Sequence, residues 1–296
     1  MTVIGIFGPT ASGKSRVAEA VAERLPAELV SADAMQVYRG LPILTNQSPA
    51  RLVAIWPLDH EGSVGEYAPL AHAAIDEILA EGRTPVVVGG TGLYLRAALA
   101  ELALPPRPAS GARERWSARY DAEGGAALHE LLAELDPASA AAVHPNDRRR
   151  VVRALELAEG GESLTPQRDT LWSGETRRPT VIAGLSVNPE VVAARIERRT
   201  REMFDAGVED EVRAALARPL SETARKTLGL DEVASLPRDE AIDAIAARTR
   251  RYAAYQRKWM RRVPGLVMVD AERPPGEIAD DIVALARTRE RLSRRG

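Results

Sequence analysis

The chain has 296 residues, of which 45% are hydrophobic and 28% are charged, values close to those of ordinary folded proteins. This composition excludes a disordered chain and a fibrous repeat, and the absence of cysteine excludes a disulfide scaffold and Cys-ligated zinc. The formal net charge of -2 differs from that of a strongly basic nucleic-acid-binding domain, and no apolar run reaches the roughly 18 residues of a membrane span.

Strands and helices alternate through the first third of the chain. Residues 2–7 are a short apolar, β-branched run, which predicts a buried strand, and a glycine-rich loop and an amphipathic helix follow it. Further strands are predicted over 28–32 and 85–90, with a helix over 66–81 between them. This alternation predicts an α/β fold with a parallel sheet that carries helices on both faces.

A helical segment interrupts the alternation. Several prolines lie close together at 105–108, and the residues from 107 to 178 have helical spacing without a strand candidate. The later predicted elements are strands over 178–187 and 265–270, helices over 189–217 and 239–262, and an Arg-rich helix end from 284. We therefore expect an α/β core formed by residues 1–106 and 179–296, with a helical insertion domain at 107–178.

A phosphate-binding loop joins the first strand to its helix. Its sequence, GPTASGKS at 8–15, meets the Walker A pattern in full and predicts a P-loop NTPase-like core. Its glycines let backbone N–H groups turn toward an anion, and the helix directs its positive end to the same place. Lys14 adds a point charge, and the hydroxyl of Ser15 is suited to binding Mg2+. A glycine-rich turn that binds nothing is the less favoured alternative, because strand, spacing, lysine and serine all agree.

The usual magnesium-binding carboxylate of an ATPase is missing after the third predicted strand. That strand ends in Gly89-Gly90 and is followed by Thr91, whereas Asp33 follows the second predicted strand. An Asp at the carboxyl end of a strand beside a phosphate loop lies where open α/β sheets bind ligands. From its position alone, Asp33 could hold Mg2+, accept a proton from a nucleophile, or cap a helix or turn.

Six segments, in order, carry a resemblance to one family. They are residues 8–15, 31–45 (SADAMQVYRGLPILT), 89–97 (GGTGLYLRA), 144–157 (HPNDRRRVVRALEL), 225–232 (RKTLGLDE) and 251–262 (RYAAYQRKWMRR). This set resembles the tRNA dimethylallyltransferases, also called tRNA isopentenyltransferases, in their bacterial form without a zinc finger. The resemblance extends from residue 3 to about residue 262.

The resemblance implies transfer of a dimethylallyl group from dimethylallyl diphosphate to N6 of adenosine 37 of tRNA, with release of diphosphate. Asp33 then matches the general base, and Thr91 matches a hydroxyl at the reaction centre. Lys14 and Arg113 are further implied catalytic residues, and Mg2+ is the implied cofactor, with Ser15 as its protein ligand. The diphosphate would lie on Gly8, Thr10, Ala11, Ser12, Gly13, Lys14 and Ser15.

The resemblance also implies contacts with the anticodon stem-loop of tRNA. The residues concerned are Asp33, Ala34, Met35, Gln36, Thr91, Arg113, Arg149, Arg150, Arg153, Gln256, Arg257 and Trp259. The sequence departs from the family pattern at Arg149, where glutamine is usual, and at Ala254-Tyr255, where Lys-Arg is usual. The stretch 248–262 holds seven basic residues interleaved with aromatic ones, which suits a phosphate backbone; a solvated helix face is the alternative.

Other functions share part of this pattern. A small-molecule or nucleotide kinase would explain the phosphate loop and Asp33, but not the basic stretch at 248–262 or the GGTGLY segment. An RNA-binding module with a relic phosphate loop, or prenyl transfer to free AMP, would each explain less. The carboxylates of 205–211 are expected to form an exposed face. With no basic leader and no membrane span, we expect a cytoplasmic protein, and a monomer is the simplest assembly.

Overall fold

The computed structural model describes residues 1–107, 109, 111–165 and 170–293. The chain forms two compact units, one made of Met1–Glu101 together with Trp172–Gly296, and the other of Leu102–Leu171. Within the described ranges, no helix is long and apolar enough to cross a membrane.

A five-stranded sheet forms the centre of the first unit. Its strand order is β2-β3-β1-β4-β5, and every neighbouring pair is parallel. The strands are β1 (Val3–Phe7), β2 (Ala27–Ser31), β3 (Thr84–Gly89), β4 (Thr180–Ser186) and β5 (Leu266–Asp270). The prediction of a parallel α/β sheet is confirmed, and the carboxyl ends of β1, β2 and β3 lie side by side at one edge.

Helices connect the strands and make up the second unit. In chain order they are α1 (Lys14–Ala22), α2 (Val64–Ala80), α3 (Gly92–Leu99), α4 (Ala112–Glu123), α5 (Gly125–Leu135), α6 (Pro137–Ala142), α7 (Arg148–Glu159), α8 (Pro189–Asp205), α9 (Val208–Leu216), α10 (Glu222–Arg225), α11 (Leu230–Ser235), α12 (Arg238–Met260) and α13 (Pro275–Ser293). Helices α4 to α7 lie in the second unit, and the others lie in the first.

Strand β1 shows how the sheet is covered on both faces. Its alternate residues Ile4 and Ile6 are fully buried in a cluster that includes Val17 and Val21 of α1 and apolar residues of α13. Gly5 points the other way, where a Cβ atom would lie 3.2 Å from Leu99 of α3. Since successive side chains of a strand point to opposite faces, α1 and α3 cover opposite faces of the sheet.

The second unit has a small core of its own. Leu128 and Leu132 of α5 are fully buried against Val151 and Leu155 of α7. Asp136 caps α6 by accepting a hydrogen bond from the backbone N–H of Ser139. Apolar residues of two long helices therefore meet around a short capped one.

The single helix predicted over 189–217 is wrong in detail. The structure has two helices there, α8 and α9, separated at Gly207, whose φ of 89° lies in the left-handed region. Glycine adopts this conformation without the steric cost that a side chain would add, so the chain ends one helix and starts another.

Candidate active site

The phosphate loop occupies the turn between β1 and α1. Gly13 has a φ of 92° and directly precedes the helix, and Ala11 has a φ of 61°, which is rare for a residue with a side chain. The N–H groups of Lys14 and Ser15 are the first of α1 and have no intrahelical acceptor. These backbone donors face outward at the positive end of the helix and are suited to a phosphate group.

Two backbone N–H groups of the loop already donate hydrogen bonds within the protein. The N–H of Ser12 donates to Pro9 O at 3.2 Å, and the N–H of Thr10 donates to Oε1 of Gln256 at 2.8 Å. The hydroxyl of Ser12 is buried and has no partner within the described ranges. The loop is therefore fixed in shape and retains a donor for a ligand.

Two cations lie at this loop. The ammonium group of Lys14 donates to Pro9 O at 2.7 Å, and Nη2 of Arg199, on α8, donates to Oγ1 of Thr10 at 2.9 Å. Burial lowers the pKa of Lys14 to about 8, with the nearby charge of Arg199 adding to this effect and that of Asp33 opposing it. Burial also lowers the pKa of Arg199.

The negative charges nearest these cations act without direct contact, namely Asp33 on both and Glu202 on Arg199. In the described part of the chain, neither Lys14 nor Arg199 forms an ion pair, and Nε of Arg199 is buried without an acceptor. Removing a positive charge from water costs free energy unless an anion compensates for it. The arrangement is therefore suited to a polyanionic ligand on the loop.

Asp33 and Thr91 come together at the neighbouring strand ends. Oδ1 of Asp33 accepts the N–H of Met35 at 2.9 Å, and Oγ1 of Thr91 accepts the N–H of Ala34 at 3.2 Å. Within the described ranges, no hydrogen bond reaches the other carboxylate oxygen of Asp33. The carboxylate is thus oriented by one oxygen, and the second is available to a substrate.

Glycines make this close approach possible. A Cβ atom on Gly89 would lie 2.1 Å from the carbonyl oxygen of Ala32, the residue before Asp33. On Gly90 it would lie 2.3 Å from Nε2 of Gln256, and on Gly92 it would lie 2.2 Å from the ring of Trp259. The GGTG sequence after β3 therefore lets β2 and α12 pack directly against the end of that strand.

Helix α12 contributes Tyr252, which was not predicted from the sequence, and Gln256, which was expected at the RNA. The hydroxyl of Tyr252 lies 3.5 Å from Oγ1 of Thr91, and the amide of Gln256 joins Thr10 to the carbonyl oxygen of Gly90. Burial raises the pKa of Tyr252 above its ordinary value, and the negative charge of Asp33 contributes to the increase. Tyr252 therefore stays protonated at neutral pH and can act as a hydrogen-bond donor.

Arg199 and Tyr252 were not predicted from the sequence. The sequence carries a partial signal for Arg199, because Arg195 precedes it by one helical turn. In the structure, Arg195 also lies at the loop and donates to Ala11 O at 3.4 Å. Two arginines spaced by four lie on one face of a helix. In a chain with 40 basic residues, however, such a pair does not stand out.

Gln36 and Gln256, both expected at the RNA, are engaged within the protein. Oε1 of Gln36 accepts from the hydroxyl of Ser31 at 3.1 Å, and its Nε2 donates to Asn46 O at 2.8 Å. Gln256 is only 2% exposed. Ala34 and Met35 are half-buried, as is Arg257.

Trp259 lies in an aromatic and cationic cluster within the first unit. Its ring is 5.0 Å from that of Trp172, and the guanidinium of Arg262 lies 3.9 Å from the centre of the Trp172 ring. Trp172 therefore contacts both an aromatic ring, tilted by 41°, and a cation. Such contacts suit packing within the protein as well as contact with a nucleobase.

The arginines expected at tRNA in the second unit lie on α4 and α7. Nε of Arg113 donates to Glu156 at 2.9 Å, and Nη1 of Arg153 donates to the other oxygen of the same carboxylate at 3.0 Å. Glu156 is buried, so the two guanidinium groups share one buried counter-charge. Arg149 and Arg150 are exposed in the first turn of α7.

No group of three or more His, Cys, Asp or Glu residues suited to a metal occurs among the described residues. Oxygen atoms suited to a metal near the phosphate loop include the hydroxyl of Ser15 and the carboxylate of Asp33. Mg2+ is commonly held by one or two protein oxygens together with the phosphates of a substrate. The donor set therefore fits Mg2+ in company with a bound diphosphate.

Sequence comparison links the chain to one group of proteins. A family model described as IPP transferase matches residues 36–263. The tRNA dimethylallyltransferase of Corynebacterium jeikeium is 38% identical, covering 92% of this chain and 92% of the relative. That of Kineococcus radiotolerans is 40% identical and covers 88% of each.

Structure comparison agrees with the sequence comparison. The crystal structure of tRNA isopentenylpyrophosphate transferase from Bacillus halodurans is similar with a TM-score of 0.71 at 32% identity, covering 99% of both chains. A eukaryotic dimethylallyltransferase acting on tRNA shares the fold, with a TM-score of 0.71 at 24% identity over 91% of this chain and 74% of its own. The predicted P-loop NTPase-like core is confirmed by these neighbours.

Proposed function

The chain belongs to the IPP transferase family of prenyltransferases, and from this premise we propose that it transfers the dimethylallyl group of dimethylallyl diphosphate to N6 of adenosine 37 of tRNA. The observation that carries the proposal is the position of two cations, Lys14 and Arg199, at the phosphate loop. Among the described residues neither forms a direct ion pair, and the carboxylate of Asp33 is near enough for its charge to act on both.

The diphosphate of the donor occupies the phosphate loop. The N–H groups at the start of α1 and the hydroxyl of Ser12 supply hydrogen bonds, and Lys14 and Arg199 supply charge. Gly8, Thr10, Ala11 and Gly13 form the backbone of this cradle. The same groups stabilise the negative charge that develops on diphosphate as it leaves, which lowers the barrier to breaking the bond to carbon.

Mg2+ is the proposed cofactor of donor binding. Ser15 would hold it at the start of α1, with the remaining ligands coming from the diphosphate and from water. When bound, the ion neutralises part of the charge of the diphosphate and makes it a better leaving group. Lys14 and Arg199 would add positive charge to the diphosphate from the protein side.

The transfer step forms one bond and breaks another. The exocyclic N6 of adenine attacks C1 of the dimethylallyl group, the C1–O bond breaks, and diphosphate leaves with the electron pair. Asp33 accepts the proton that N6 loses, through the carboxylate oxygen that is not held by Met35. Thr91 and Tyr252 lie beside this carboxylate, and we assign them to orienting the adenine.

Recognition of tRNA involves the basic surfaces on both units. A stacked base is not accessible to Asp33, so adenosine 37 is extruded from the anticodon loop into the site. Ala34, Met35 and Gln36 line the region next to Asp33, and exposed Arg149 and Arg150 suit phosphate contacts. We assign Arg257 and Trp259 of the first unit to contacts with RNA. We assign Arg113 and Arg153 of the second unit to such contacts as well, with this unit as the tRNA-binding insertion.

We also propose that the protein acts as a monomer. A tRNA substrate is consistent with action in the cytoplasm.

The test uses purified protein, Mg2+, dimethylallyl diphosphate and an unmodified tRNA with adenosine at position 37, followed by mass spectrometry of the nucleosides. We expect one adenosine per tRNA to gain the mass of one prenyl unit. A matched tRNA with guanosine at position 37 should gain none. Absence of the gain, together with ATP-dependent phosphorylation of a small molecule, would overturn the proposal in favour of a kinase.

A further inference from the structure

We propose that Gln256 is a positioning residue that fixes the phosphate loop relative to the strand end that carries Thr91. This inference rests on the donor site proposed above. It assigns Gln256 to alignment of the donor instead of the RNA contact that the family resemblance implies.

Both ends of the Gln256 amide are occupied. Oε1 accepts the N–H of Thr10 in the phosphate loop at 2.8 Å, and Nε2 donates to the carbonyl oxygen of Gly90 at 2.8 Å. The side chain is buried, with 2% of the residue exposed. Each end of the amide has a backbone partner, and the burial of the side chain keeps its remaining N–H and lone pair from a nucleotide.

The packing around Gln256 is specific to its size. A Cβ atom on Gly90 would lie 2.3 Å from Nε2, so the amide contacts the backbone at a distance that only glycine permits. The bond from the Thr10 N–H ties this residue of the loop to α12. The next residue, Ala11, keeps a left-handed backbone with φ of 61°, and surrounding contacts must hold such a conformation.

The Gln256 amide connects the loop proposed to bind the donor with the strand end proposed to position the adenine. From Thr10, the path runs through Gln256 to Gly90, and the next residue, Thr91, accepts the N–H of Ala34, which follows Asp33. Tyr252, one turn earlier on α12, lies 3.5 Å from the hydroxyl of Thr91. Helix α12 therefore contacts both the phosphate loop and the strand end proposed to position the adenine.

This geometry has a kinetic consequence. Transfer requires C1 of the donor to stand in line between N6 and the leaving oxygen, and a shift of about 1 Å can cost a large factor in rate. Loss of the Gln256 bridge frees the loop to move relative to Asp33. The donor should then bind less well and react more slowly, whereas tRNA, which does not contact this side chain, should bind as before.

The experiment compares wild type with Gln256→Leu, which has a similar volume and no polar atoms. We expect kcat/KM for dimethylallyl diphosphate to fall about tenfold or more, with KM for tRNA nearly unchanged. Asp243→Ala is the control on the same helix, because Asp243 is exposed, lies outside the basic stretch 248–262 and has no part in the bridge. The inference is overturned unless the effect on the donor exceeds the effect on tRNA.

A second variant covers the case in which Gln256→Leu does not fold. Gln256→Glu has the same shape and keeps an acceptor for Thr10, but when ionised it has no donor for Gly90. We expect weaker binding of pyrophosphate with Mg2+ at pH 8, and recovery toward wild type at pH values where the carboxyl is protonated. Equal affinity to wild type at both pH values would contradict the inference.

A third experiment distinguishes an error in the proposed donor site from an error in the role of Gln256. Wild type should bind pyrophosphate with Mg2+, and Lys14→Met should bind it much more weakly. If wild type does not bind, or Lys14→Met binds equally well, the proposed donor site is wrong. If both behave as expected and the Gln256 variants match wild type, only the role of Gln256 is wrong.

Discussion

The guanidinium of Arg199, on α8, donates a hydrogen bond of 2.9 Å to the hydroxyl of Thr10 in the phosphate loop. The loop follows β1, whereas α8 comes after the second unit, so residues far apart in the chain form one anion site. Its Nε is buried and has no acceptor within the described ranges. We interpret this as a donor that is kept for the diphosphate.

Replacing Arg199 should weaken donor binding. Arg199→Ala removes a charge-assisted hydrogen-bond donor, and we expect the dissociation constant of pyrophosphate with Mg2+ to rise about 10- to 100-fold. Isothermal titration calorimetry measures it. Arg198→Ala is the matched control, because the neighbouring Arg198 side chain is 70% exposed and forms an ion pair with Glu202, away from the phosphate loop. Similar effects from both variants would contradict a specific role for Arg199.

Donor affinity should depend on pH through Lys14, whose pKa burial lowers to about 8. The protonated form binds the diphosphate, so affinity should be highest below this pKa and fall as the pH rises through it, by up to about tenfold per pH unit. Titrations between pH 7 and pH 9.5 measure this slope. In Lys14→Arg the side chain stays charged over that range, and the slope should flatten. An equal slope in both proteins would rule out Lys14 as its source.

Gly89→Ala should disturb both stability and catalysis. The new methyl group would lie 2.1 Å from the backbone oxygen of Ala32, so the ends of β2 and β3 must move apart. We expect the free energy of unfolding to fall by about 1–3 kcal/mol and the transfer rate to fall, because Asp33 follows Ala32. Gly174→Ala, where nothing lies within 4 Å of the added Cβ, is the control and should change little. Urea unfolding and the transfer assay test both points.

Glu211 should stabilise the loop that follows Asp33. Its two carboxylate oxygens accept the N–H groups of Ile43 and Leu44, each at 2.8 Å. Glu211→Ala leaves these donors without their acceptor, and we expect the free energy of unfolding to fall by about 1–3 kcal/mol. Asp210→Ala removes an exposed carboxylate one position away and should leave stability almost unchanged. Equal losses in the two variants would mean that the loop does not depend on Glu211.

Local sequence patterns predicted much of the site. The loop at 8–15 is recognisable because its glycines, lysine and serine must have fixed spacing. Asp33 stands out because it follows a predicted strand, and Thr91 because the GGTGLY segment resembles that of the family. The parallel sheet followed from the same runs. These features depend on neighbours in the chain, which a sequence displays.

Contacts made by α8, α9 and α12 could not be predicted in the same way. Each of these helices turns one face toward a loop that is distant in sequence, and tertiary packing determines which face that is. The contacts concerned are those of Arg199, Glu211 and Gln256. Glu211 was expected on an exposed face, yet it holds two backbone N–H groups of a distant loop. Gln256 was expected at the RNA, yet it is buried between two backbone segments.

The most direct test of the account is a single-turnover measurement on Asp33→Asn with saturating dimethylallyl diphosphate, Mg2+ and tRNA. Asparagine keeps an oxygen for the N–H of Met35 but cannot accept the proton of N6. We predict that prenyl transfer slows by about 100-fold or more, while the dissociation constants of pyrophosphate and tRNA stay close to those of wild type. Transfer at the wild-type rate, or a loss explained entirely by weaker binding, would contradict the assignment of Asp33 as the base.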